Sequence, residues 1–123
     1  MKKYDLEERL INYAVSIINI VKLIPKSTEG RILENQLIKS GTSPALNYGE
    51  AQSAESRKDF IHKSSIILKE LRESHVCLKI ILKAGLVQNE TIIDKAISET
   101  NELISVFVKI VNTAKRNMVS QHE

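Results

Sequence analysis

The feature that most constrains the fold is the spacing of apolar residues, which recur every three or four positions in four separate segments. At 3.6 residues per turn, this spacing places them along one face of a helix, where they can pack into a core. Turn-forming residues separate the four segments. The sequence therefore predicts four helices, with bounds at about residues 5–24, 30–53, 57–84 and 91–117.

The short connections between these segments predict how the helices are arranged. Consecutive helices joined by short loops pack side by side and run antiparallel. Aromatic residues make up 4% of the 123 residues, with only four glycines and two prolines, which is atypical of β-sandwiches and barrels. A chain of this length buries a core as one domain. The prediction is an all-α fold, a single antiparallel up-down-up-down four-helix bundle over residues 1–123.

Local signals mark several of the predicted helix ends. Ser56 with Asp59, and Thr91 with Asp94, resemble capping boxes in which Asp replaces the usual Glu. Gly85 stands where a left-handed C-cap residue is expected. These residues predict the starts of the third and fourth helices and the end of the third.

Two of the predicted helices carry apolar residues outside their core faces. A lone bundle cannot bury two separate stripes of one helix, and exposed apolar surface of this extent marks an interface. We therefore predict self-association, the alternative being that wide core faces absorb these residues within one chain. The residues outside the core faces are Ile11, Val15 and Ile18 on the first helix and Ile66, Val76, Cys77 and Ile80 on the third. All of them except Cys77 are candidates for the subunit interface.

Four short motifs follow one another along the second and third predicted helices. They have the patterns S-G-x-S, N-x-x-E-A, S-x-x-D/E-F and K-E-x-x-E, and they occupy residues 40–43, 47–51, 56–60 and 69–73. In this combination the chain resembles the four helix bundle protein family, also called the 23S ribosomal RNA intervening-sequence protein family. Pro44 departs from the family pattern, in which isoleucine or valine is more usual. It predicts a kink near residues 39–43, because proline lacks the amide donor and clashes with the preceding turn.

The resemblance implies an up-down four-helix bundle that assembles as a homopentamer and has no established enzymatic activity. Some members of the family are encoded within insertions in large-subunit ribosomal RNA genes. A related accessory protein of diversity-generating retroelements is a basic pentamer that binds nucleic acid. The resemblance therefore implies a bacterial oligomer with a possible nucleic-acid partner, and it does not supply a precise biochemical role.

Basic residues are concentrated on the third helix. Residues 57–83 contain seven basic and three acidic residues, whereas the other helices are each close to neutral. Five of the seven fall within about 80° of helical arc, beside the core face. Such a stripe binds phosphate backbones without sequence specificity, through counterion release; the alternative is an ordinary solvated face. The candidate nucleic-acid-binding residues are Lys58, Lys69, Arg72, Lys79 and Lys83.

Polar residues on the second and third helices form a further candidate cluster. Carboxylates inside a bundle can hold two iron ions, but such sites need a Glu-x-x-His on each of two helices, and the sequence has none. Hydrogen bonds and ion pairs that fix helix register are the expected role. No catalytic residue, metal, cofactor or small-molecule substrate is predicted. The cluster consists of Asn47, Glu50, Glu70 and Glu73.

The remaining features bound the location and partners of the protein. No apolar run approaches the roughly 18 residues of a membrane span, and a single cysteine excludes an internal disulfide. We therefore expect a cytoplasmic protein without a membrane partner. The net charge of +3 is compatible with an anionic partner. The predicted function is a non-enzymatic oligomeric module that binds structured RNA or DNA, and the alternative is a structural or protein-recruiting scaffold.

Overall fold

Four α-helices form the protein, and a computed structural model describes the backbone of residues 3–122 and the side chains of residues 5–119. No strand occurs within residues 3–122. The prediction of an all-α four-helix fold is confirmed, whereas the homopentamer stays a prediction. The helices are α1 (Lys3–Val21), α2 (Thr28–Gln52), α3 (Arg57–Ala84) and α4 (Glu90–His122).

The helices are arranged up-down-up-down. Each packs against the next in the chain, and α1 also contacts α4, which closes the bundle. Along the α2–α3 seam, Leu33 contacts Cys77 and Ser40 contacts Ser74. Residue numbers therefore rise along α2 as they fall along α3, as expected for antiparallel neighbours.

The ends of α3 follow the predicted signals. Ser56 caps its start, since Ser56 Oγ accepts a hydrogen bond of 3.0 Å from the amide of Asp59. The Asp59 carboxylate accepts a bond of 3.3 Å from the amide of Glu55, the residue before the cap, whereas a capping box uses the amide of the cap residue itself. Gly85 ends the helix in the left-handed conformation, with φ of 64°.

The start of α4 differs from the prediction. The cap is Asn89, whose side-chain oxygen accepts a hydrogen bond of 3.2 Å from the amide of Ile92, and the box proposed at Thr91 and Asp94 is wrong. At its other end α4 continues to His122, beyond the predicted residue 117. Although α4 is 33 residues long, none of the helices within residues 3–122 is apolar enough to cross a membrane.

The first helix is shorter than predicted. It ends at Val21, and the amides of Leu23 and Ile24 then bond to the carbonyl oxygens three residues earlier, at 2.9 and 3.1 Å. This tighter turn leads the chain to Pro25 and reverses its direction. Ile24 is nevertheless buried, so the apolar pattern from which the helix end was predicted extends beyond the helix itself.

The predicted core faces of α1 and α3 are largely confirmed. On α1, the buried positions are Leu6, Leu10, Tyr13, Ile17 and Ile20. On α3 the buried residues include three that were not predicted for the core face: Ser74, Cys77 and Ile81. Cys77, which was placed outside the core face, is only 7% exposed, because α2 covers this side and the thiol donates to the Leu33 carbonyl at 3.7 Å.

A layer of buried hydroxyl groups crosses the core and involves all four helices. Tyr13 Oη and Thr100 Oγ1 lie 2.7 Å apart, and Ser74 Oγ donates to Ser40 Oγ at 2.8 Å. The two pairs join α1 to α4 and α3 to α2. A buried hydroxyl without a partner costs about 1–3 kcal/mol, so this layer fixes the register of the four helices.

The second helix packs closely on α1 and remains continuous through its proline. A Cβ atom added at Gly41 would lie 2.6 Å from Ile17 Cγ2, so only glycine permits this approach of the two helices. Pro44 is buried and does not interrupt α2. The hydroxyls of Thr42 and Ser43 each donate to the carbonyl four residues earlier, at 2.6 Å.

Candidate interaction surfaces

The basic residues predicted to bind nucleic acid lie on the outward face of α3. All five are exposed, and none forms an ion pair within the described side chains. The other basic residue of the middle of α3, Lys63, instead pairs with Asp59 at 3.4 Å. These five cations share one side of α3, beside the exposed acid Glu73. The basic face is defined by Lys58, Lys69, Arg72, Lys79 and Lys83.

Two predicted interface residues share this face. Val76 is 57% exposed and Ile80 is 47% exposed. By helical position Val76 lies within the arc of the basic residues, and Ile80 lies beside it. The sequence analysis treated the basic and apolar stripes of α3 as separate surfaces. The structure shows a single mixed surface, which we call the α3 outward face.

A groove of about 700 Å³ runs between α2 and the α3 outward face. Its lining is mainly apolar, and its charged side chains are Lys69, Arg72 and Glu73, so it offers apolar contact beside two cations and one carboxylate. On α2 the groove is lined by Leu33, Gln36 and Ser40, and on α3 its lining includes Lys69, Arg72, Val76, Cys77 and Ile80.

The predicted interface residues of α1 are also exposed. Ile11, Val15 and Ile18 have exposed fractions of 42%, 50% and 36%, whereas Ile66 of α3 is half-buried and offers less contact. The sequence analysis missed a comparable set on α2, in which Leu46 is 74% exposed. The spacing of this set was obscured because α2 also contains small and polar residues throughout. Its other members are Ile32 and Ile38.

The structure joins only part of the predicted polar cluster. Glu73 lies close enough to Glu70 to act on it electrostatically: burial, followed by the charge of Glu73, raises the pKa of Glu70. One Glu70 oxygen is buried without a hydrogen-bond partner. Within the described side chains, no hydrogen bond or ion pair joins Asn47 or Glu50 to these two carboxylates, and Glu50 is exposed.

Two reactive side chains of α3 are held in their neutral forms. Burial lowers the pKa of His75, with Lys79 acting in the same direction, and His75 Nε2 is buried without a hydrogen-bond partner. Burial raises the pKa of the Cys77 thiol to about 11, which disfavours the thiolate. Within the described residues, no three His, Cys, Asp or Glu side chains are grouped so as to hold a metal ion.

The fold and these surfaces define a class of small antiparallel four-helix bundles with a mixed apolar and basic outward face. The chain belongs to the 23S rRNA-intervening sequence protein family, whose sequence profile matches residues 2–109. The family resemblance of the four motifs is thereby confirmed. This is a family of unestablished function, and no curated protein matches the chain.

A solved structure shares the fold over nearly the whole chain. It is the crystal structure of a protein of unknown function from the S23 ribosomal protein family of Bacteroides thetaiotaomicron, with a TM-score of 0.81. The two sequences are 28% identical, and the match covers 91% of this chain and 99% of the other. The similarity therefore supports the bundle and its helix order.

Proposed function

We propose that the chain is a non-enzymatic, self-associating module that contacts the phosphate backbone of structured RNA or DNA through the α3 outward face. The observation that carries the proposal is the set of five exposed cations on this face, none of them ion-paired within the described side chains. Such cations exchange their counterions for phosphates. In a homopentamer, as the family resemblance implies, the face would be repeated around a ring and its charge multiplied.

The aromatic side chains favour contact with the backbone rather than with bases. Proteins that hold single strands stack bases on exposed aromatic rings. Among the aromatic residues whose side chains the structure describes, Tyr13, Tyr48 and Phe107 are buried, and Phe60 is half-buried. The proposed ligand is therefore a structured nucleic acid bound without sequence specificity. A cytoplasmic location is part of the proposal and agrees with the single free cysteine.

The alternative function is a structural or protein-recruiting scaffold. It is favoured by Val76 and Ile80, because two exposed apolar residues within the basic face suit a protein surface better than a phosphate backbone. In that case the basic residues would flank a protein interface. A scaffold would form the oligomer and leave nucleic acid unbound at low salt.

The test is the binding of labelled duplex RNA and duplex DNA, followed by fluorescence anisotropy from about 50 to about 200 mM salt. The parent protein is expected to bind with an affinity that falls log-linearly with salt. The double variant Lys69→Glu/Lys79→Glu should lose at least about tenfold in affinity, because it removes two phosphate contacts and adds repulsion.

The matched control is Lys22→Glu/Lys95→Glu, which makes the same change of charge at exposed positions away from α3. Light scattering coupled to gel filtration would establish that each variant keeps the parent's oligomeric state. Equal affinity of the two double variants would show that the α3 outward face is not the contact surface. Absence of binding by the parent at low salt would leave the scaffold function.

A further inference from the structure

The charges of α4 are segregated along its length, although the helix is close to neutral as a whole. Its first part, residues 90–102, contains four acids and one base. Residues 103–119 contain three bases and no acid. A count over the whole helix conceals this separation, which is why the sequence analysis missed it. The three bases are Lys109, Lys115 and Arg116.

The basic part of α4 lies at one end of the bundle, where Val111 and Ala114 are buried and the three basic residues are exposed. Arg9 of α1 pairs with Glu99 and Glu102 of α4, and the two helices run in opposite directions. The described part of α1 begins at Lys3, six residues before Arg9. Since antiparallel helices advance equally per residue, the α4 residues after about residue 108 lie beyond the start of α1. This segment is consequently open to solvent on the side where α1 would otherwise cover it.

The start of α3 adds a fourth cation to this end of the bundle. Arg57 and Lys109 line one hollow, together with Thr113 and Asn117. An adjoining hollow is lined by Lys109, Lys115 and Arg116 with polar neighbours. None of the four cations is paired with a carboxylate within the described side chains, and Arg116 donates only to Thr113 Oγ1, at 3.3 Å. We call this set, Arg57, Lys109, Lys115 and Arg116, the basic end.

Helix stability does not account for these charges. Cations stabilise the last turn of a helix, but Lys109 lies 13 residues before His122, and Arg116 lies six residues before it. Arg57 is the first residue of α3, where the positive end of the helix dipole disfavours a cation. The placement of all three is thus better explained by an external anion than by the energetics of the helices.

The spacing within the basic end fits a phosphate backbone. Lys109 and Arg116 are seven residues apart, about two turns, so they lie on one face and roughly 10 Å apart along the axis. This is close to the rise of three base pairs, at about 3.4 Å each. Between them, the exposed side chains of Asn112 and Thr113 supply hydrogen-bond donors for phosphate oxygens.

We propose that the basic end is a second, separate binding site for the phosphodiester backbone of duplex nucleic acid. This proposal takes its class of ligand, nucleic acid, from the proposed function. It adds a second site on a different part of the molecule. The outward face of α4 has no exposed large apolar residue before Val119 within the described side chains. Self-association through the exposed apolar residues of α1 and α2 would therefore leave the basic end accessible in the oligomer.

The test compares Lys109→Glu/Arg116→Glu with Lys22→Glu/Lys95→Glu, in the same anisotropy titration with labelled duplex RNA. The control makes an equal change of charge at the opposite end of the bundle. The basic-end variant is expected to lose at least about tenfold in affinity and to reduce the salt slope by about two. The neutral variant Lys109→Gln/Arg116→Gln removes the contacts without adding repulsion, so it separates these two causes of weaker binding. Circular dichroism of each variant detects misfolding.

The outcomes separate this site from the α3 outward face. If the basic-end variants bind as the control does while Lys69→Glu/Lys79→Glu is weakened, the basic end is not a site and the proposed function stands. If only the basic-end variants are weakened, the second site stands and the α3 assignment is wrong. A parent protein that binds no duplex at low salt overturns both proposals.

Discussion

The outward face of α4 differs sharply from those of the other three helices. From Glu90 to Met118, no large apolar side chain of α4 is strongly exposed. In contrast, α1, α2 and α3 each expose at least two, and all four helices bury apolar residues on their inner faces. Because α4 joins the bundle without exposed apolar residues, the fold itself does not require them. The difference indicates that α1, α2 and α3 present surface for association, whereas α4 faces solvent.

The largest expected effect tests whether the inner face alone holds α4 in the bundle. Phe107 is fully buried and packs edge-on against Tyr48, with ring centroids 6.1 Å apart and an angle of 84° between the ring planes. Phe107→Ala should lower the free energy of unfolding by about 3–5 kcal/mol, measured by urea denaturation. Ser105→Ala, on the outward side of the same helix, should change it by less than about 0.5 kcal/mol. Similar losses in both variants would refute the division of α4 into two faces.

The second prediction tests the contrast between α1 and α4 directly. Ile11→Glu/Val15→Glu places two carboxylates on the outward face of α1 and should weaken self-association by about 100-fold, since each charge must be desolvated at an interface. Asn101→Glu/Ser105→Glu makes the same addition of charge to the outward face of α4 and should leave association unchanged. Sedimentation velocity over a concentration series measures both, and circular dichroism checks the helix content. An α1 variant that assembles like the parent would contradict the assignment.

The periodicity of the sequence was enough to predict the helices and most of their inner faces. Periodicity gives the angular position of each residue around its own helix, and the residues that share the core-facing side are the ones that become buried. The burial of Cys77 was missed because the angle does not say on which side the neighbouring helix lies. The basic residues and Val76, in contrast, share one arc by helical position, so the sequence did contain the signal that they form one surface.

The ends of the helices were harder to predict, because they depend on hydrogen bonds rather than on periodicity. Thr91 and Asp94 fit the capping pattern, but Asn89 lies nearer to the turn and its side chain reaches the amide of Ile92. The open end of α4 depends on the relative lengths of α1 and α4. Its basic residues can be recognised as one cluster only in the folded structure, where Arg57 and Lys109 line the same hollow.

The third prediction concerns the α1–α4 seam, which joins the association surface to the solvent-facing helix. Arg9 donates two hydrogen bonds of 2.7 Å to Glu99, and α1 contacts α4 less extensively than any other pair of adjacent helices. Arg9→Met should lower the free energy of unfolding by about 1 kcal/mol, because the pair is partly exposed and is screened by solvent. Arg9→Lys keeps the charge but loses the bidentate geometry, so its loss should be intermediate. Urea denaturation at low and high salt would measure both, and a loss independent of salt would contradict an ionic contribution.

The smallest expected effect concerns the α2–α3 seam, where Glu70 interrupts the basic and apolar character of the α3 outward face. Burial and the neighbouring Glu73 raise the pKa of Glu70 above its ordinary value of 4.5, with Lys39 and Lys69 opposing them. A carboxyl whose folded-state pKa is raised destabilises the fold when ionised, and the loss is relieved as pH falls through that pKa.

Glu70→Gln removes this ionisation and should stabilise the protein at pH 7 by about 0.5 kcal/mol, after allowance for solvent screening. The gain should disappear below the ordinary carboxyl pKa of 4.5, where Glu70 is protonated in both the folded and the unfolded states. His75 titrates in the parent and the variant alike, so the difference between their unfolding free energies isolates Glu70. Glu8→Gln, at an exposed position of α1, is the matched control for the loss of one carboxylate. A gain that persists unchanged at low pH would show that Gln stabilises the seam by packing rather than by removing a charge.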